Sequence, residues 1–149
     1  MHAFVAAATG FLLAVLWFDL IFDVQVRRHG DTPLPQEVLT SISAYYRRAT
    51  IEAFPMNRLV AVVMVLNLAA IVAEIVEAAH PWWVGWGSIA LAGGGLPLTL
   101  RRTLPNAQRL GRATDSAEVR SRLARAIYRD HVFAFARMCV VLGLQLTAS

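Results

Sequence analysis

Apolar positions along this chain are gathered into four long runs, with polar segments between the first and second and between the third and fourth. Each run has about 17 to 22 residues, which at a rise of about 1.5 Å per residue matches a hydrocarbon core of about 30 Å. Backbone groups in lipid must be hydrogen-bonded within their own segment, so each run is predicted to be a helix. The predicted spans cover residues 3–24, 59–79, 83–100 and 131–147.

This pattern predicts an all-α fold, an integral membrane four-helix bundle formed by a single domain, residues 1–149. The third span contains Gly93, Gly94 and Gly95, which would allow a neighbouring helix to approach closely; the alternative is a flexible functional break in this span. Pro97 is expected to bend the inner end of that span. A tryptophan cluster at residues 82–86 is typical of an interfacial belt.

The first polar segment carries a helical pattern of its own. Pro33 and Pro35 suit the first turn of a helix, and Val38, Ile42 and Tyr45 then recur at helical spacing. This stripe predicts an amphipathic helix that lies on the lipid headgroups with its arginines outward.

The second polar segment shows a similar pattern. Asp115 followed by Glu118 is typical of a capping box at the start of a helix. Leu123 and Ile127 belong to an apolar stripe behind it, and nothing breaks the pattern before the fourth span. One long helix is therefore predicted from Ser116 into the membrane, with its first part also on the headgroups.

The cationic side chains orient the chain. All fourteen are arginine, and thirteen lie within residues 25–58 and 101–130. Positive loops are retained in the cytoplasm during insertion, so we expect these loops to be cytoplasmic, both termini outside, and the protein in the inner membrane. The net charge of +4 could suggest nucleic acid. Because the arginines flank apolar runs, we instead expect membrane lipids as partners and no nucleic acid.

Ionisable groups inside the inner half of the spans predict a polar site. Asp19 and Asp23 are four residues apart and share a helix face. Arg137 lies at the depth of Asp19, and His131 near the depth of Asp23, so an Asp19–Arg137 pair is the simplest arrangement. Asn67 could add a hydrogen bond. Either this is a structural ion pair that fixes helix register, or it is a pocket for a ligand headgroup or a proton path.

The outer half has acidic groups but no arginine. Glu74, Glu77 and His80 follow at intervals of three residues, and His2 lies on the same side of the membrane. Carboxylate and imidazole ligands in this spacing could hold one metal ion.

Two other interpretations of Glu74 stay open: a protonated acid bonded to Gln145 or Thr9, or neutralisation by a cation from a partner subunit. No phosphate loop, nucleophile elbow or paired cysteine motif is present, and Cys139 is the single cysteine. No motif therefore requires a cofactor, and the identity of any cofactor is unknown. A single metal ion is the one option that the residues suggest.

Two short motifs carry a family resemblance. Pro55-Met56-Asn57-Arg58 leads into the second span, and Leu104-Pro105-Asn106 follows the third. With the four-span plan, they resemble the small membrane proteins of the anthrone-oxygenase-like family. The resemblance implies an oxygenase-like or small-molecule-binding role in which Asn57, Arg58 and Asn106 take part. The inner aspartates and the outer acids are not part of that pattern, and whether the chain is an enzyme stays open.

The first functional hypothesis is a polar intramembrane pocket that binds a hydrophobic small molecule, such as a quinone, a lipid or a polyketide. The second is an accessory or structural subunit of a larger membrane complex. The third is a proton-coupled transporter that uses Glu74 or Asp19, which would require a dimer because four spans are few for a complete pathway.

Overall fold

The computed structural model describes residues 1–30, 33–79 and 81–147, with the side chain of Met56 left out. Within these ranges every regular element is helical and there is no strand. A 3₁₀ turn at Val24–Arg28 extends the first helix, and wider π-type turns lie at Arg47–Glu52 and Thr99–Thr103. The α-helices are α1 (His2–Asp23), α2 (Gln36–Tyr46), α3 (Met56–Val76), α4 (Trp82–Gly93), α5 (Leu96–Leu98), α6 (Leu104–Arg112) and α7 (Ala117–Thr147).

Three helices among the described residues are long and apolar enough to cross a membrane. They cover His2–Arg28, Asn57–Val76 and Ala117–Thr147. Their positions correspond to the first, second and fourth predicted spans, judged by length and composition.

The third predicted span is not one continuous helix. α4 ends at Gly93 after twelve residues, Gly94 and Gly95 form a turn, and the chain resumes helical structure at Leu96. The break has a local cause: three consecutive glycines have low helix propensity, and Pro97 has no amide to donate to the carbonyl of Gly93. The glycines that were expected to serve close packing also end the helix.

The long helix predicted from Ser116 is confirmed, because α7 runs unbroken from Ala117 to Thr147. Its cap differs from the prediction. The Ser116 hydroxyl accepts the amide of Val119 at 3.4 Å, whereas Asp115 pairs with Arg109. A hydroxyl one position closer to the helix takes the capping role, which leaves the carboxylate free for the guanidinium.

The apolar half consists of α1, α3, α4 and residues 131–147 of α7. α1 packs against α3 and α7, and α4 packs against the same two helices. Val5, Ala70 and Ile71 form a small apolar core there, while many large apolar side chains point outward, including Val76 and Trp82, which are 79% and 77% exposed. Outward apolar surface on this scale fits helices surrounded by lipid.

The arginine-rich half consists of residues 24–52 and 99–130, and it has a core of its own. α2 packs against α6, and both contact α7. The two amphipathic segments were expected to lie flat on headgroups; instead, their apolar faces cover one another. The core residues are Val26, Leu34, Val38, Leu39, Ile42, Tyr46, Ala107, Leu110, Ala124 and Ile127.

Specific contacts hold this half together. A β-carbon on Gly111 would lie 2.8 Å from the backbone nitrogen of Arg47, so only glycine allows α6 to approach the end of α2 this closely. Arg47 Nε also donates to the Gly111 carbonyl at 3.2 Å. Ser43 and Leu34 bond to Arg120 and Ser121 of α7, at 3.2 and 2.9 Å. These contacts fix where α2 ends, and therefore where Tyr45 and Tyr46 lie.

Candidate functional site

A cavity of about 630 Å³ lies between α1, α3, the α4–α5 region and α7. Its volume falls within the range of about 300–1,000 Å³ that is typical of small-molecule sites. Apolar side chains such as Leu12, Met64 and Leu91 line the end inside the apolar half. Polar side chains gather toward the junction with the arginine-rich half: Asp19, Tyr45, Tyr46, Asn57, Arg58, Thr103, Gln108, Asp130 and His131, with Asn67 and Arg137 deeper.

The structure brings most of the predicted inner site residues together. Of the eight, six line this cavity: Asp19, Asn57, Arg58, Asn67, His131 and Arg137. Asp23 lies behind the wall, bonded to His131. Asn106 does not line the cavity.

Asp23 and His131 form the predicted close contact. Asp23 Oδ2 lies 2.7 Å from His131 Nδ1, and the Asp23 side chain is fully buried. Tyr46 donates its hydroxyl to the other carboxylate oxygen at 2.7 Å and lies 3.3 Å from the same ring nitrogen. The Nδ1 atom is thus engaged within the protein, while the His131 side chain also lines the cavity. A carboxylate that fixes a histidine in this way orients the ring for hydrogen bonding or proton transfer.

Asp19 does not make the expected pair with Arg137. It accepts a hydrogen bond of 2.7 Å from the Tyr45 hydroxyl, and the described residues show no ion pair between Asp19 and Arg137. The Tyr45 ring stacks on Phe22 with 4.1 Å between centroids, which holds the hydroxyl at this carboxylate. A tyrosine from α2 thus takes the place that the sequence assigned to an arginine of α7.

Arg137 occupies the space left by the helix break between α4 and α5. A β-carbon on residue 95 would overlap both of its Nη atoms, so glycine there makes room for the guanidinium. The guanidinium carbon also lies 5.2 Å from the centre of the Phe133 ring, within reach of a cation–π contact. The Arg137 Nε–H is buried without a hydrogen-bond partner. Arg137 makes no hydrogen bond or ion pair with any residue that the structure describes.

Asn67 has a similar feature on the opposite wall. Its Nδ2 donates to the Thr9 hydroxyl at 3.3 Å, but its Oδ1 is buried without a hydrogen-bond partner. An unsatisfied polar atom is costly in a dry interior, and both Asn67 and Arg137 have one beside this cavity.

The sequence did not single out three residues of this site. Tyr45 and Tyr46 line the cavity, and Tyr45 had been counted only as part of an apolar stripe. Asp130 accepts from the Thr103 hydroxyl at 3.0 Å and lies 3.4 Å from Arg102 Nε. The sequence contained one sign of these contacts, a pair of tyrosines at the end of an amphipathic helix, because a buried phenol hydroxyl usually needs a hydrogen-bond partner. The partners of the two tyrosines lie more than twenty residues away, so residue spacing alone could not identify them.

The tyrosine hydroxyls stay protonated in this environment. Burial, followed by the neighbouring Asp23 and Asp19 carboxylates, raises the pKa of Tyr46 well above its usual range. Burial and the Asp19 carboxylate likewise raise the pKa of Tyr45. Both side chains therefore act as hydrogen-bond donors to the aspartates.

The outer acids do not form a recognisable metal centre in the described ranges, which hold no group of three or more metal-ligating side chains. Glu74 is buried and Glu77 is exposed. His80 lies outside the described residues, so the metal site with Glu74, Glu77, His80 and His2 stays a prediction. Gln145, suggested as a partner of Glu74, bonds instead to His2 at 3.1 Å and to Ser88 at 3.2 Å. Thr9 accepts from Asn67.

Comparison with protein-family models, with curated proteins and with solved structures gives no match for this chain. The function of the candidate site must therefore be inferred from its geometry. That geometry is a largely apolar cavity with a cluster of hydrogen-bonding and charged groups at one end.

Proposed function

We propose that this chain is an integral membrane protein of the inner membrane, a four-helix bundle in which α4 forms the shorter fourth member. In this proposal its cavity binds a hydrophobic small molecule, such as a quinone, a lipid or a polyketide-like compound. The apolar part of the ligand lies among Leu12, Met64 and Leu91. Its polar group meets the polar side chains of the cavity, which include Asp19, Asn67, His131 and Arg137.

One observation carries this proposal. The cavity is lined by Asn67 and by Arg137, and the partly buried Arg137 side chain has no described hydrogen bond or ion pair. A group that only fixed helix register would be expected to have its partner within the bundle, as Asp23 has in His131. A ligand with one polar end would complete the hydrogen bonding and fill the volume.

Native mass spectrometry of the protein released from membranes tests the proposal directly. We expect a bound small molecule on the wild-type chain and its loss in Ala134→Trp, because Ala134 lines the cavity and an indole would occupy it. Val140→Trp is the matched control on the same helix, since Val140 is exposed on the outer surface. Equal occupancy in both variants would exclude this cavity as the binding site.

Asp19→Asn gives a second test of the same site. It removes the charge while keeping a group that can still bond to Tyr45, so we expect the fold to persist and ligand binding to be lost. Unchanged binding in the folded variant would remove Asp19 from the site. If the wild-type chain instead carries a stoichiometric protein partner and no small molecule, the accessory-subunit hypothesis gains and the binding hypothesis fails.

The proposed orientation places the arginine-rich half in the cytoplasm, supported by the thirteen arginines of residues 25–58 and 101–130. In a Cys139→Ser background, Ala79→Cys should react in intact cells with a maleimide that cannot cross the membrane. Ser116→Cys should react only after lysis. Both positions are exposed, so accessibility within the protein does not bias the comparison. The reverse pattern would invert the topology.

The resemblance to the anthrone-oxygenase-like family remains a prediction. Of its three implied residues, Asn57 and Arg58 line the cavity, which is consistent with a small-molecule role. No oxygenase chemistry is proposed from their positions.

A further inference from the structure

The acidic side chains around the cavity have described hydrogen-bond donors, whereas the Arg137 guanidinium has no described acceptor. Each acidic side chain near it has a described donor: Tyr45 for Asp19, Tyr46 and His131 for Asp23, and Thr103 with Arg102 for Asp130. Arg137 has no such partner among the described residues, although it lies deeper in the apolar half than any of them. Arg137 therefore lacks a described hydrogen-bond acceptor, and an anion would supply the acceptor and compensate the charge together.

The position of Arg137 makes an uncompensated charge expensive. It lies six residues beyond His131 on α7, about 9 Å further into the apolar half at helical rise. A lone guanidinium at such depth usually has a carboxylate, a phosphate or a water-filled cavity beside it. Its flat, multiply donating head matches the two oxygens of a carboxylate or phosphate.

The surroundings hold the guanidinium in place rather than neutralise it. Phe133 lies beneath it, and the missing side chain of Gly95 leaves room for its Nη atoms at the point where α4 breaks. Apolar side chains, among them Met138, Leu91 and Ala92, line the same cavity. An anion on Arg137 would thus lie where an attached alkyl or ring system can lie along the apolar part of the cavity.

We infer that Arg137 binds the anionic headgroup, a carboxylate or a phosphate, of an amphiphile whose apolar part occupies this cavity. The inference rests on the proposed function and specifies its ligand class. Arg137 is the binding residue, and Gly95 is a positioning residue that acts through it.

Four probes with the same alkyl chain test this inference on the whole protein in neutral-detergent micelles: dodecanoate, dodecyl phosphate, dodecanol and dodecylamine. Equilibrium titration should show one or both anions binding about tenfold to hundredfold more tightly than dodecanol, the range for a hydrogen-bonded charge pair. The stronger of the two anions identifies a carboxylate or a phosphate as the natural headgroup. Dodecylamine should bind no more tightly than dodecanol.

Two variants separate Arg137 from the general effects of charge. Arg137→Met removes the charge but keeps a side chain of similar length. It should weaken anion binding to the level of dodecanol binding. Gly95→Ala keeps the arginine but displaces its guanidinium, so it should weaken anion binding while dodecanol binding stays unchanged. Gly143→Ala on α7 is the matched control, because a β-carbon there meets nothing within 4 Å. If Arg137→Met does not fold, Gly95→Ala still decides the question.

The outcomes separate this inference from the proposed function. If wild-type protein binds anions and dodecanol equally, the cavity is a binding site and the anion inference is wrong. If anion preference survives both Arg137→Met and Gly95→Ala, the anion lies elsewhere and the inference is also wrong. Binding of none of the probes would count against the proposed function itself.

Discussion

The two halves of this molecule distribute polar and apolar side chains in opposite ways. The arginine-rich half buries Leu39, Ile42 and Leu110 completely and turns most of its charges outward, as a water-soluble domain does. The apolar half exposes many valines, leucines and tryptophans, and it completely buries the polar side chains of Thr9, Ser88 and Gln145 beside a small apolar core. The two halves thus have surfaces of different character, and the candidate site lies where the halves meet.

Different interactions are expected to stabilise the two halves. Burial of apolar surface is a strong driving force only where the alternative is water. In lipid the outside is as apolar as the inside, so helices associate through close packing and interhelical hydrogen bonds. The comparison therefore predicts that similar substitutions will have different effects in the two halves.

The largest expected effect is from Leu39→Ala. Leu39 is fully buried in the core of the arginine-rich half, so its truncation should lower the free energy of unfolding by about 2–5 kcal/mol. Leu66→Ala is the matched variant on α3, where the leucine is 49% exposed on the apolar half. Its cost should be well below 1 kcal/mol, since a leucine contributes only about 0.3–0.6 kcal/mol on insertion scales. Denaturant unfolding in neutral-detergent micelles measures both. Equal losses in the two variants would show that apolar burial stabilises both halves to the same extent.

The second largest effect is expected at the junction, from Tyr46→Phe. The change removes the hydroxyl that donates to the buried Asp23 carboxylate, which should cost about 1.5–3 kcal/mol of unfolding free energy. Tyr128→Phe is the control, because Tyr128 has no described hydrogen bond and is only partly buried. A Tyr46→Phe protein as stable as the wild type would mean that water replaces the hydroxyl at Asp23.

The pH dependence gives a second readout for Tyr46. Its pKa is raised in the folded state, chiefly by burial, so the corresponding stability is fully present below the unfolded value of about 10. It should be lost progressively as the pH rises above that value, because the unfolded chain ionises first. Tyr46→Phe should therefore reduce this alkaline loss, although the raised pKa of Tyr45 leaves part of it in place. An identical alkaline profile would remove Tyr46 as its cause.

These contrasts also explain which parts of the structure could be predicted from sequence. Long apolar runs and the absence of breakers are enough to identify α1, α3 and α7, because each element depends on its own residues. The close contact of Asp23 with His131 followed from matched depth on two spans. Packing of α2 on α6 could not be predicted, since an apolar stripe looks the same whether it faces lipid headgroups or another stripe.

The Asp19–Arg137 expectation shows the same limit at the site. Depth matching places two charges at one level but does not give the angle at which each helix presents them. Tyr45 reaches Asp19 from α2, and the turn at Gly94 and Gly95 gives Arg137 another position. Both depend on tertiary placement of segments that local periodicity does not describe.

A smaller effect is expected from Gln145→Leu in the apolar half. Gln145 is fully buried and bonds to His2 and Ser88. Hydrogen bonds between membrane helices contribute about 0.6 kcal/mol on average, so the loss should be close to 1 kcal/mol for the pair. Thr147→Val on the same helix is the control, because Thr147 bonds only to carbonyls of its own helix. A loss comparable to that of Leu39→Ala would show that polar contacts stabilise this half as strongly as apolar burial stabilises the other.

The smallest effect is expected on the exposed surface of the arginine-rich half, from Asp115→Asn. Arg109 donates to both oxygens of Asp115, at 2.8 and 2.7 Å, across the loop between α6 and α7. This hydrogen bonding lowers the pKa of Asp115 below its ordinary value of about 3.9. The stabilising effect is therefore present above that value and is lost as the pH falls through the folded-state pKa.

Thermal unfolding in neutral detergent, repeated across acidic pH, should show a slightly smaller decrease for Asp115→Asn than for the wild type. The difference should shrink in high salt, because the pair is exposed and screened by ions. Arg109→Gln should reproduce the reduced slope if the pair is its source. A slope that survives both substitutions must come from other titratable groups. That outcome would exclude the Arg109–Asp115 pair as the source of the acid sensitivity of the protein.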